Sequence, residues 1–169
     1  MKKFIFSTSI VAAFVLSGCM TAKNVTVLDT VGPVRKELTA KNSTNGTLIV
    51  YSAYEVNADF NARDPNRPEY SDYKILTAGG KLLQKVHNNT GTILADPLPV
   101  PLTPGKYIVV VRANGYGRLT IPVVIEARRS TVLHLEGGGS WPDESVFNQT
   151  NAVRLDDGQI IGWKMYGEN

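Results

Sequence analysis

Pro104-Gly105-Lys106-Tyr107-Ile108-Val109-Val110-Val111-Arg112-Ala113, then Asn114-Gly115-Tyr116-Gly117, then Arg118-Leu119-Thr120-Ile121-Pro122-Val123-Val124-Ile125 decides the fold. Pro104-Gly105 turns the chain into a run whose Tyr107, Val109, Val111 and Ala113 share one face under the two-residue period of a strand. Ile108 and Val110 make the opposite face apolar as well, which predicts a central strand covered on both sides. After the glycine-flanked turn, Leu119, Ile121, Val123 and Ile125 alternate with Arg118, Thr120, Pro122 and Glu126, one face dry and one wet.

Working outward, the same grammar repeats. Upstream, Leu98, Val100 and Leu102 alternate with Pro97, Pro99 and Pro101; prolines donate nothing to a ladder, so this segment belongs at an edge. Tyr70 to Thr77 and Lys81 to His87 flank Gly79-Gly80, a two-residue turn that tolerates positive φ. Leu48, Val50, Ser52, Tyr54 and Val56 line one face of an earlier run. Downstream, Ala127-Arg128-Arg129 leads into Thr131, Leu133 and Leu135, with His134 opposite. No window places apolar residues at i, i+3, i+4 and i+7 over helical length. Short strands separated by Gly, Pro and Asn predict an all-β fold, an antiparallel β-sandwich of Ig-like architecture. After Gly137-Gly138-Gly139, residues 140–169 are too apolar for a disordered tail. Asp156-Asp157-Gly158 predicts a C-terminal hairpin between Ala152–Leu155 and Gln159–Trp163.

Pro104-Gly105-Lys106-Tyr107, Val109, Val111, Gly115-Tyr116 and the closing strands to Leu135 resemble the end of carboxypeptidase-regulatory-like domains. The resemblance spans 47–136 and is strongest over 98–136. It implies a prealbumin-like sandwich of about seven strands acting as an accessory, adhesive or carbohydrate-associated module, and it carries over no catalytic residue. The insertion around Asn61–Glu69 departs from the most compact versions of that family.

The N-terminus carries a different signal. Met1-Lys2-Lys3 precedes an apolar stretch from Phe4 to Leu16, too short to cross roughly 30 Å of hydrocarbon with the about 20 residues required. Leu16-Ser17-Gly18-Cys19 follows, holding the only cysteine of the 169 residues. It resembles the lipobox of bacterial lipoprotein precursors. That resemblance implies cleavage of a signal helix, residues 1–18, a diacylglyceryl thioether on Cys19 and a further acyl chain on its new amino group. Met20, in place of the Asp that favours inner-membrane retention in enteric lipoproteins, implies the outer membrane. Residues 19–46 then read as a lipidated tether, with Val25, Val27 and Val31 to Val34 as a short first strand. As flexible coil, residues 20–46 would span about 30 Å r.m.s.. Loss of Lys2 and Lys3 leaves sixteen cationic against fifteen acidic residues, so the formal charge falls from +3 to +1. With no basic run, no nucleic-acid partner is expected. With Cys19 acylated, neither a disulfide nor a thiolate metal site is expected.

Chemistry elsewhere is sparse. His87 and His134 lack helical ligand spacing, and read as surface or cross-strand residues. No serine lies in a Gly-x-Ser-x-Gly or Ser-x-x-Lys setting. Adjacent acids such as Asp143-Glu144 point to opposite strand faces, and Asp156-Asp157-Gly158 is a turn. Asn57, Asp59, Asn61, Asp64, Asn66 and Asp72 do not match a calcium loop, so no metal or other cofactor is expected. Trp141, Trp163, Tyr70 and Tyr116 form the candidate binding surface, a stacking platform for sugar rings or a protein partner. Against it stands the reading in which Trp141 and Trp163 pin the C-terminal hairpin onto the sheet. The expected function is a non-catalytic cell-envelope lipoprotein, anchored in the outer membrane through Cys19 and presenting a binding or structural module to an envelope glycan or protein. The alternatives are an envelope-polymer hydrolase using acids of the 57–72 loop, or a lipid-anchored subunit of a larger assembly.

Overall fold

The computed structural model describes residues 25–27, 29–33, 44–56, 68–89, 96–137 and 150–164. Among them the chain forms β1 (Val25–Thr26), β2 (Gly46–Tyr51), β3 (Tyr54–Val56), β4 (Pro68–Tyr70), β5 (Tyr73–Thr77) and β6 (Leu82–Val86). It continues with β7 (Val100–Leu102), β8 (Gly105–Ala113), β9 (Gly117–Ile125), β10 (Ser130–His134), β11 (Ala152–Arg154) and β12 (Ile160–Lys164), and no helix occurs in these residues. The first sheet has the order β1-β9-β8-β5-β6, the second β11-β12-β10-β2-β7, and β3-β4 form a separate ribbon.

The two sheets share one core, as a β-sandwich requires. The first contributes Ile75, Val109, Val111, Leu119, Ile121, Val123 and Ile125, and the second Leu48, Val50, Val100, Leu133, Leu135, Val153 and Ile161. These are the alternate residues of each strand, so the two-residue period translates directly into an inner face. Three hairpins, β5–β6, β8–β9 and β11–β12, close antiparallel around turns. In the last, Gly158 adopts φ 84° and its N–H donates to the Leu155 carbonyl at 2.9 Å.

Three sequence expectations need correction. The sandwich is mixed rather than antiparallel, because β1 runs parallel to β9 and β2 parallel to β10. The run from Leu48 to Val56 is two elements: after Tyr51 the chain leaves the second sheet, and Ala53 N–H donates to the Arg112 carbonyl of the first at 2.8 Å. Tyr70 to Thr77 divides likewise into β4 and β5 at Ser71, whose N–H donates to the Ala53 carbonyl at 2.8 Å. Among the described residues the two sheets hold seven strands, β2 and β5 to β10, besides the N-terminal β1 and the C-terminal hairpin β11–β12.

The N-terminal segment belongs to the fold from Val25 onward. Val27 and Val31 are buried in the core, and Val27 bridges antiparallel to Leu155, so this segment joins an edge of each sheet. Its pairing with β9 is interrupted for a physical reason. Val27 and Val31 N–H donate to the carbonyls of Thr120 and Pro122, and Val124 N–H donates back to Val31. Between them Pro122 faces the segment with no N–H to give.

Polar groups join the layers where the chain changes sheet. Buried Asn88 donates from Nδ2 to the Val50 carbonyl at 2.8 Å and to Ser52 Oγ at 3.0 Å, and its Oδ1 accepts from Leu98 N–H at 3.0 Å. Three buried side-chain atoms among the described residues lack a partner, Ser71 Oγ, Glu136 Oε2 and the hydroxyl of Tyr73, whose ring is buried. An unpaired buried hydroxyl opposes folding by about 1–3 kcal/mol. Tyr73→Phe is therefore expected to stabilise the protein by about 1 kcal/mol, read as a higher urea midpoint at unchanged slope; a lower midpoint would show that the hydroxyl is satisfied.

Candidate functional site

Five rings form a continuous ladder across the outer side of the second sheet and onto the β3–β4 ribbon. Register sets its first half: His134 of β10 lies opposite Trp163 of β12 and opposite Tyr51 of β2. Inward Val50 and Leu133 precede Tyr51 and His134 by one residue, so these two turn outward. Trp163 joins them because pairing between β11 and β12 shifts between Val153 and Arg154. The shift lets core residue Ile161 and outward Trp163, two positions apart, take opposite faces.

The rings stack closely. Trp163 and His134 lie 4.6 Å apart at 2°, and His134 and Tyr51 4.1 Å apart at 11°. Tyr51 meets Tyr70 edge-on at 5.6 Å and 85°, and Tyr70 stacks on Tyr54 at 4.5 Å and 24°. The Tyr54 and Tyr70 hydroxyls share a hydrogen bond of 2.7 Å. Each such pair contributes about 0.5–1.5 kcal/mol beyond area burial. Trp163, 8% exposed, and Tyr70, 6%, are buried, whereas the terminal ring, Tyr54, is 41% exposed.

His134 Nδ1–H donates to Glu136 Oε1 at 2.7 Å, while the second carboxylate oxygen, Oε2, is buried without a partner among the described residues. Rings on both faces leave only the imidazole edge available, and that edge already engages Glu136. Asn114, from the β8–β9 turn, ties this corner to the first sheet: its Nδ2 donates to the Glu136 carbonyl at 2.6 Å and its Oδ1 accepts from Tyr54 N–H at 3.1 Å. Burial first, then the carboxylates of Glu136 and Asp96 and the Tyr54 hydroxyl, hold the Tyr51 phenol above its ordinary pKa. Burial, then the hydrogen bond shared with Tyr54, raises Tyr70 as well.

Of the sequence candidates, the structure brings together Trp163 and Tyr70, through Tyr51 and His134. Tyr116 stands apart: its hydroxyl donates to the Ile160 carbonyl at 3.3 Å and accepts from Gln159 Nε2 at 3.1 Å, at the start of β12. Trp141, Cys19 and residues 57–67 lie outside the described residues. His87 is an exposed cross-strand partner of Asp72, 2.9 Å away. Sequence reasoning missed Tyr51 and Tyr54 as ring partners. Alternation signalled only the first: Tyr51 is out of phase with Leu48 and Val50, hence on the other face, whereas Tyr54 is in phase with them. No group of three or more His, Cys, Asp or Glu converges as a metal set among the described residues. No described helix is long and apolar enough to cross a membrane. Comparison with family models, curated proteins and solved structures finds no match to this chain.

Two outcomes test the ladder. A β-carbon at Gly162 would collide with the His134 carbonyl and the Leu135 side chain. Gly162→Ala is thus expected to cost about 1–3 kcal/mol by overpacking and to quench the ordered environment of Trp163, read by near-ultraviolet circular dichroism. The raised tyrosines set a pH window. Both states keep neutral phenols below pH 10, the ordinary tyrosine value. Above it the unfolded chain ionises first, binds fewer protons, and stability falls. Tm is expected to decline steeply above about pH 10 and less steeply in Tyr70→Phe; identical profiles for the two proteins would refute the assignment.

Proposed function

We propose that this chain is a non-catalytic cell-envelope lipoprotein, acylated on Cys19, held at the outer membrane and presenting its β-sandwich as a binding or structural module. The observation that carries the reading is Leu16-Ser17-Gly18-Cys19 behind a basic and then apolar leader. Three acyl chains on one residue give durable attachment, since each buried methylene contributes about 0.8 kcal/mol and a single chain holds only marginally.

The position of β1 supports a close mounting. From Cys19 to Val25 are six residue steps, a covalent reach of at most about 20 Å. In this arrangement the sandwich body sits near the bilayer rather than at the end of a long leash. The mixed two-sheet sandwich agrees with a prealbumin-like module of the carboxypeptidase-regulatory-like kind, used to contact an envelope glycan or protein. The ring ladder supports a structural role for Trp163 and Tyr70, with Tyr54 as its accessible end. In cells fed labelled palmitate, the protein is expected to take up label and Cys19→Ser to take up none. Equal labelling of both, or an unmodified cysteine by intact mass, would sink the anchor.

A further inference from the structure

The first sheet has an outer face unlike that of the second. Alternation turns Leu76, Ile108, Val110, Pro122 and Val124 away from the core, and register arranges this face in rows. One row is apolar and crosses four strands: Leu82, Leu76, Ile108 and Pro122 are successive cross-strand partners. Leu82 is 46% exposed and Leu83, beside it at the irregular step of β6, is 52% exposed. The next row runs Lys85, Lys74, Val110, Thr120, and the row beyond pairs Arg112 with Arg118. A groove of about 260 Å³ lies here, lined by all four cations together with Asp72, Tyr73, Val110 and Val111.

Two features of this face oppose the folded monomer in water. Lys74 lies directly opposite Lys85, and like charges in such register are destabilising. The carboxylate within the groove, Asp72, is engaged by His87 at 2.9 Å and by Asn88 N–H at 3.3 Å. No ion pair among the described residues involves Lys74, Lys85 or Arg118. Two adjacent exposed leucines at a hairpin end are the second unfavourable feature, and apolar exposure of this kind marks interaction surfaces.

We propose that this face docks on an anionic phospholipid surface, with Leu82 and Leu83 entering the headgroup boundary and Lys74, Lys85 and Arg118 meeting lipid phosphates. Charge complementarity selects the occupant. An anionic surface neutralises the Lys74–Lys85 pair and Arg118 together, since each basic side chain near such a surface contributes about 1 kcal/mol. An acidic glycan would answer the cations but leave the leucine row in water. The contact stands without acylation of Cys19, although an anchor there would hold β1, the edge of this same sheet, within about 20 Å of the bilayer.

The test mixes the full chain with vesicles of phosphatidylcholine alone or with added phosphatidylglycerol, and reads amide exchange in β6 and β8 by mass spectrometry. Exchange there is expected to slow only with phosphatidylglycerol, and to recover in about 1 M salt, where the Debye length is near 3 Å. Lys74→Gln with Lys85→Gln is expected to weaken the effect about 30-fold, from about 1 kcal/mol per charge. Leu82→Ser with Leu83→Ser should abolish it, while exchange in β10 stays at the parent level and reports an intact fold. Equal exchange on both vesicles overturns the proposal, as does equal slowing by a soluble acidic polysaccharide without lipid. Acylation is read separately from the mass of Cys19, so either idea can fail alone.

Discussion

Parallel pairing of β2 with β10 is the constraint on which the second sheet depends. Five consecutive registered pairs, Thr47–Ser130 through Tyr51–His134, join segments far apart in sequence. They hold β7 on one side and the β11–β12 hairpin on the other, and they fix which side chains meet on both faces. A one-residue slip would send Leu48 and Val50 out of the core and turn Tyr51 inward. The seam is reinforced beyond its ends. Thr47 N–H donates to the Arg129 carbonyl at 2.9 Å, and Leu135 N–H to the Tyr51 carbonyl at 2.7 Å. Because parallel partners must come from distant sequence, this seam carries a loop-closure cost before it returns stability. The inward rows, Leu48 and Val50 against Leu133, supply that return through burial.

How much of this was legible in sequence follows from the range of each interaction. Hairpins were readable because turn chemistry and alternation lie within a few residues: Gly79-Gly80, Gly115-Tyr116-Gly117 and Asp156-Asp157-Gly158 each mark their own connection. The proline-spaced edge at Val100–Leu102 was readable for the same reason. The parallel seams were not, since nothing local in Val25–Thr26 or Gly46–Tyr51 names a distant partner. The break at Ser52–Ala53 was hidden because alternation continues through it, from Val50 to Ser52 to Tyr54. What breaks the strand is tertiary: Ala53 finds its acceptor in the other sheet, and Asn88 holds Ser52. The ring ladder was half visible. Trp163 and Tyr70 stood out as large amphipathic residues, but the members between them, Tyr51 and His134, follow only from cross-strand register.

Edges show the same division between local and tertiary causes. β7 is blunted by Pro99 and Pro101, which cannot template another strand. β6 uses Lys81 and Lys85 instead, yet places Leu82 and Leu83 between them. On the opposite side, the Val27–Leu155 bridge and the Asp29 carboxylate, which accepts from Arg154 N–H at 3.2 Å, connect the edge strands of the two sheets. The sandwich is therefore closed along one side by its own N-terminal segment.

The two outer faces thus make opposite use of their residues. On the second sheet, Trp163, His134 and Tyr51 occupy one another's ring faces, and His134 Nδ1 engages one carboxylate oxygen of Glu136. Stacking there is consumed in holding the C-terminal hairpin, which leaves little of it for a ligand. On the first sheet, no ion pair among the described residues relieves Lys74, Lys85 or Arg118, and the adjoining leucines stay about half exposed. Stability and contact are thereby assigned to different sheets. A charge-altering substitution on the first face should leave the core undisturbed, because Lys74 and Val110 project from strands whose inward residues, Ile75 and Val109, are fully buried. Substitution on the second face has no such freedom: displacing any ring shifts its neighbour, and through β10 the shift reaches the parallel seam.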